Sequence, residues 1–143
     1  MDEQRKSSLR QKILKEMIID YSSVLEEYFD VAKKFIRLTK EGKVNILVKD
    51  KLNGEEQILL YLIGKLYAKE AGFVTSEEVG NKELMEELNM PRGSLLPFLK
   101  RLRDKNKIEE IKKGRYVYHR IPLNLIGKIL KDIQAKIETG GSI

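Results

Sequence analysis

The chain has 143 residues, 41% of them hydrophobic and 35% charged, with a formal net charge of +6 and no cysteine. That length can bury one modest core, so one globular domain with helical extensions is expected, and disulfides and thiolate metal sites are excluded. The longest apolar run, Ile58 to Ile63, is far shorter than the roughly 20 residues needed to span a bilayer, and the opening MDEQRKSSLRQK is too polar for a signal peptide, so the expectation is a soluble cytoplasmic protein without a membrane partner.

In chain order, Leu14, Ile18, Tyr21, Leu25, Tyr28, Ala32 and Phe35 alternate spacings of four and three. This predicts one long amphipathic helix from about Lys6 to Thr39. Met17, Val24, Val31 and Ile36 widen its stripe, which favours packing in a bundle, with a two-stranded coiled coil as the alternative. After Gly42, Val44, Ile46 and Val48 share one face of a short strand. Asn53 followed by Glu56 has the spacing of an N-terminal cap, since the Asn oxygen can accept from an unpaired first-turn amide. A helix should therefore run from about Gly54, with Ile58, Leu59, Leu62, Ile63 and Leu66 as its apolar face and Gly72 stopping it in a left-handed conformation. FVTSEEV then reads as a short extended connection.

Further along, Leu84 and Leu88 stack one helical turn apart, with Met85 on the side where a neighbouring helix approaches. Asn89 tolerates the left-handed backbone of a tight turn, and Met90 plugs it. Leu95, Phe98, Leu99 and Leu102 supply the inner face of the next helix, Asn106 is a second stop, and Ile108 opens an extended segment. Pro97 would cost about 3 kcal/mol deep inside a helix. A regular helix capped at Ser94, after an irregular MPRG turn, avoids this because the third amide is unpaired anyway. Gly114 supplies the positive φ of a hairpin turn in KKG. Beyond Ile121, Pro122 suits the first turn of a helix whose Leu123, Ile126, Leu130, Ile133 and Ile137 again alternate three and four, and TGGSI is a frayed tail. The implied organisation is an N-terminal helix over 1–42, a central domain over 43–121, a C-terminal helix over 122–138 and a flexible tail over 139–143.

Where the charge lies is more informative than its total. From Arg92 to Arg120 there are ten Lys or Arg against three acids, a net +7, so the rest of the chain sums to −1. The electrostatic footprint of any polyanion site should lie in that fifth of the sequence.

From Glu55 to Ile121, about 70 residues, these features resemble the winged helix-turn-helix proteins in the spacing of Leu84, Met85, Leu88, Asn89, Met90, Leu95 and Phe98. RGSLLPFLKRLRDKNKI is similar to the recognition helix and following strand of PadR-like or MarR-like regulators, and IEEIKKGRYVYHRI to their two-stranded wing. Asn89 stands where glycine is commoner, and Met85 is bulkier than the usual alanine, which widens the helix crossing. The resemblance implies a mainly α (α+β) winged helix-turn-helix domain with a long N-terminal helix and a C-terminal dimerisation helix. It also implies a recognition helix in the major groove and a wing on phosphates or the adjacent minor groove.

The DNA-binding residues it points to are Arg92 and Ser94 at the start of the helix, Leu96, Lys100 and Arg103 on its outward side with Arg101 flanking, and Lys112, Lys113 and Arg115 at the wing tip. Arg92 can grip a guanine with two hydrogen bonds, worth about 1–3 kcal/mol of discrimination, and Leu96 can touch a thymine methyl. The remaining cations would contact phosphate, so specificity should be weak or shape-dependent. The expected function is a double-stranded DNA-binding transcriptional regulator acting as a homodimer through its terminal helices; the alternative for those helices is that they cover their own core. A different function, a winged-helix protein-interaction module in a larger assembly, is suggested by Leu96, Pro97 and the terminal seams.

His119, the single histidine, reads as a half-buried strand residue without metal partners. Tyr116 and Tyr118 lie two apart on one strand face, where packing on the core is the first reading and stacking on single strands the second. The acidic pairs Glu77-Glu78, Glu86-Glu87 and Glu109-Glu110 are sequence neighbours whose side chains diverge. With no phosphate-binding glycine loop, cysteine nucleophile or metal-ligand cluster, neither an enzyme nor a cofactor is expected.

Overall fold

The computed structural model describes residues 8–140. Residues 8–12 are helical and pass into a π-helical turn, Ile13–Met17, after which Ile18 is extended. Asp20, also extended, then caps a new helix α1 (Tyr21–Glu27) by accepting from the Ser23 amide at 2.8 Å. A short α2 (Phe29–Ala32) follows. The single helix expected from Lys6 to Thr39 is thus broken at Ile18–Asp20 and ends early, and Lys6 itself lies outside the described residues. A carboxylate that satisfies orphan amides starts a helix as well as it can decorate one, and the apolar spacing is blind to that choice.

The same stripe ends in a strand. β1 (Ile36–Leu38) pairs antiparallel with β2 (Val44–Ile46), Ile36 opposite Ile46, and Gly42 at φ +86° closes the connection. Spacings of three and four carry through Phe35 by coincidence with the turn that precedes β1.

α3 (Gly54–Glu70) begins with a reciprocal cap: Asn53 Oδ1 accepts from the Glu56 amide at 2.8 Å and Glu56 Oε1 from the Asn53 amide at 2.9 Å. It ends before Gly72 at φ +81°. Ile58 to Gly64 are all buried, so the helix is enclosed on nearly every side and serves as the central post. The β1–β2 hairpin, α1 and the later helices pack on it.

A three-stranded antiparallel sheet in the order β3-β5-β4 follows, built from β3 (Val79–Gly80), β4 (Glu109–Lys113) and β5 (Tyr116–Arg120). Between β3 and β4 lie α4 (Asn81–Glu87) and α5 (Arg92–Asp104). Asn89 takes φ +53° at the turn joining them, Met90 is buried beneath it, and Asn106 takes φ +57° after α5. α5 starts at Arg92 with Pro91 as N-cap rather than at Ser94, so Pro97 sits inside it. The expected irregular MPRG turn is absent: Pro91, extended at the N-cap, already accepts with its carbonyl from Ser94 and Leu95, each at 3.0 Å, so the helix is regular from Arg92. Pro97 is exposed, and the Gly93 carbonyl it cannot bond is also on the exposed side, where water can satisfy it.

A 3-10 turn, Leu123–Leu125, leads into α6 (Ile126–Glu138). Ile126, Ile129, Leu130 and Ile133 of α6 join Leu25 and Ala32 in the one core that also holds α3, Leu84, Leu95, Leu99 and Leu102. The structure is therefore α+β, with α1, α2 and α6 covering their own core, the alternative stated for the terminal helices, while the helical residues 8–17 bury nothing. The boundaries at 42/43 and 121/122 do not separate packing units. Leu9, Ile13, Leu14, Met17, Ile18 and Ile19 remain outside this core and exposed.

Candidate nucleic-acid interface

The ten cations between Arg92 and Arg120 do not form one free ridge. Acids from elsewhere in the chain reach several of them: Glu55 at the start of α3 pairs with Arg101 (3.2 Å) and Lys105 (3.5 Å), and Glu78 pairs with Lys113 (2.5 Å). Arg120 lies between Glu109 (2.7 Å) and Glu77 (3.8 Å), Arg103 meets Glu110 at 3.1 Å, and Lys100 meets Asp104 one turn on at 3.6 Å. Exposed pairs add little stability, but they cancel the local field. Among the described residues, Arg92, Lys107, Lys112 and Arg115 are left without an acidic partner. The charge cluster in sequence is thus divided in space, partly by Asp104, Glu109 and Glu110 within the segment and partly by Glu55, Glu77 and Glu78, which lie outside it.

Each site residue now has a place. Arg92 is exposed at the first position of α5, whose N-cap Pro91 offers no side-chain acceptor, so the amides of Arg92 and Gly93 have no helical partner. Ser94 is half-buried in the same turn. Leu96 is half-buried and packs on the core rather than facing outward, because α5 turns that side toward the apolar cluster. Arg101 lies 5.2 Å from the Phe98 ring centroid, turned toward α3. Lys112, Lys113 and Arg115 surround the β4–β5 turn, where Gly114 takes φ +64°.

Two of the unpaired cations line the same cleft. Arg92 and Arg115 line one cleft of about 670 Å3 between α4, the start of α5 and β5, with Lys82, Glu83, Glu86, Tyr116 and Tyr118. Glu83 is occupied inward, accepting from the Tyr61 hydroxyl and pairing with Lys65 at 3.2 Å, and Glu86 is 4.0 Å from Lys82. The two arginines and the free helix amides therefore offer anion-binding donors to one opening. The sequence reading missed Lys82 and the exposure of Tyr116. Lys107 lies apart, in a second cleft with Lys105, Lys128 and α6.

His119 is fully buried, not half-buried as expected, since β5 is the middle strand and His119 lies beside the buried Val79 on the core-facing side of the sheet. Its Nε2 lies 2.7 Å from Asn81 Oδ1, so Nε2–H donates there, and Nδ1 has no partner. Burial first, and then the Arg103 guanidinium, push its pKa down to about 4, against a smaller opposing effect of Glu110. The unfolded chain, with an ordinary value near 6.5, takes up this proton before the folded one. Stability that is complete above pH 6.5 is therefore lost as pH falls toward 4, by up to about 3 kcal/mol. In chemical denaturation, a His119→Phe variant should lose about that much less than the parent between pH 7 and pH 4; equal losses would show that this imidazole does not govern the acid limb.

No helix among the described residues is long and apolar enough to cross a membrane. No family model matches this chain, and the comparisons with curated proteins and with solved structures likewise found no match.

Proposed function

We propose that the protein is a double-stranded DNA-binding transcriptional regulator of the winged helix-turn-helix type, acting as a homodimer. α4 and α5 joined at Asn89 are its helix-turn-helix, and β4–β5 is its wing. The observation that carries this reading is the shared cleft: Arg92 at the uncapped start of α5 and Arg115 on the wing tip are both unpaired and face one opening. A duplex lying along that opening would set phosphates between the helix amides and Arg115, with Arg92 at the base edges. Lys112 extends the same contact at the tip. Arg101, Arg103, Lys113 and Lys100 play a smaller part than their charge suggests, since each already has a carboxylate.

The test is binding of a blunt duplex across a salt series. With Lys112 and Arg115 on phosphates and Arg92 at the base edges, log affinity should fall against log salt with a slope of about −2 per protomer, rather than the roughly −9 that ten phosphate-bound cations would give. No duplex retention at low salt would reject the reading. The exposed apolar residues Leu9 to Ile19, with Met17 and Ile19 each 74% exposed, favour the second reading, a protein-interaction module. One stoichiometric protein partner retained without DNA would establish it instead.

A further inference from the structure

Tyr116 departs from the core-packing expectation. It is 59% exposed, the most exposed of the large hydrophobic aromatics among the described residues, and sits at the wing turn. A lone exposed tyrosine needs no explanation. This one has three neighbours that point the same way.

First, the register places a second ring beside it. Tyr116 and Tyr118 are two apart on β5 and so share a face, with ring-bearing positions about 7 Å apart along the strand. Their opposite residues, Lys113 and Ile111 on β4 and Gly80 on β3, lie on that face too. Second, Gly80 leaves the flank of Tyr118 uncovered: a side chain there would begin 3.6 Å from the ring. Third, each ring carries a cation, the Arg115 guanidinium 5.6 Å from the Tyr116 centroid and the Lys113 ammonium 5.8 Å from that of Tyr118. The opposite face of the sheet turns Val79 and His119 into the core, so these rings are not needed to close it.

We propose that this outer wing face is a stacking platform for unpaired bases, and that the protein binds DNA where a duplex continues into a single strand. The inference rests on the duplex reading above. Paired bases hide their ring faces in the stack, whereas an unpaired strand presents every base to an aromatic surface, with the unpaired Arg115 alongside for its phosphates. Arg92 and Arg115 share the cleft that both tyrosines line, so a duplex held there would release its unpaired strand directly onto the platform.

The experiment compares a labelled blunt duplex with the same duplex carrying a six-nucleotide overhang, by fluorescence anisotropy, for the parent, Tyr116→Ala and Tyr116→Phe. The parent should bind the overhang substrate about tenfold tighter. Tyr116→Ala should bring the ratio of overhang to blunt affinity down to about one, a readout independent of any blunt-duplex loss caused by the ring's place in the shared cleft and under Arg115. Tyr116→Phe should keep the roughly tenfold ratio, because the ring and not the hydroxyl stacks. Melting curves confirm that the exposed substitutions leave the fold intact. A parent that binds both substrates equally overturns the platform while the duplex reading stands. So does a Tyr116→Ala variant that loses both affinities alike. Binding to the overhang substrate without binding to the blunt one supports the platform and rejects the duplex reading; binding to neither rejects both. An overhang of ribonucleotides is the second arm: a gain on the DNA overhang, alone or together with RNA, supports the assignment, and a gain on RNA alone overturns it.

Discussion

Alanine at both Arg92 and Arg115 should weaken blunt-duplex binding about 100-fold at low salt and make the salt slope shallower by about 1, since Arg115 supplies a counterion-releasing phosphate contact and Arg92 reads a base edge. The matched control is alanine at both Arg101 and Arg103. By sequence all four arginines belong to one basic segment and are candidate DNA contacts; in space Arg92 and Arg115 are unpaired, and Arg101 and Arg103 are held by Glu55 (3.2 Å) and Glu110 (3.1 Å). A guanidinium already neutralised must give up a carboxylate before it can hold a phosphate, so its removal should change affinity by less than about threefold. Titrations of all three proteins at four salt concentrations decide the matter. Equal losses in the two double variants would mean that the ion pairs open on binding and that the footprint is the whole segment.

That contrast also marks what the sequence could reveal. Local signals were legible: the Asn53–Glu56 cap, the left-handed turn at Asn89, the stop at Asn106 and the hairpin at Gly114 all occur where a few adjacent residues determine the backbone. Signals that depend on distant partners were not. A four-three stripe from Leu14 to Phe35 does not reveal that Asp20 restarts the helix or that Ile36 finds Ile46 across a hairpin. Likewise a net charge of +7 over one segment cannot reveal carboxylates arriving from Glu55 and Glu78, which are remote in sequence and adjacent only after folding. The arginines were therefore identifiable as candidates, with Arg92 already legible as the base reader, and separating the unpaired Arg115 from the paired Arg101 and Arg103 required the fold. Tyr116 was equally ambiguous, because alternation fixes which residues share a strand face without saying whether that face is covered.

The core makes a sharper demand than the surface, and Gly64 is where to test it. A glycine in the middle of a helix costs about 1 kcal/mol relative to alanine, so its presence in α3 calls for a compensating contact. That contact is Val44 of β2: a Cβ on Gly64 would overlap Val44 Cγ1, come within 2.9 Å of Cγ2 and within 3.2 Å of Cβ. Neither side can easily give way, since α3 is buried along that turn and β2 is fixed by its pairing with β1. Gly64→Val should accordingly destabilise the protein by about 3 kcal/mol, lowering Tm by about 10 °C as followed by circular dichroism. Gly93→Ala supplies the opposite case, being helical with nothing within 4 Å of the added carbon. It should stabilise by about 1 kcal/mol through helix propensity alone. The decisive combination is Gly64→Ala with Val44→Ala, because trimming the strand side chain removes the obstacle. If close approach is the reason for the glycine, the double variant should be more stable than the sum of its single losses predicts, by about 1 kcal/mol or more. Strict additivity would mean that the hairpin does not rest on α3 at this point, and the seat of β1–β2 on the central helix would have to be redrawn.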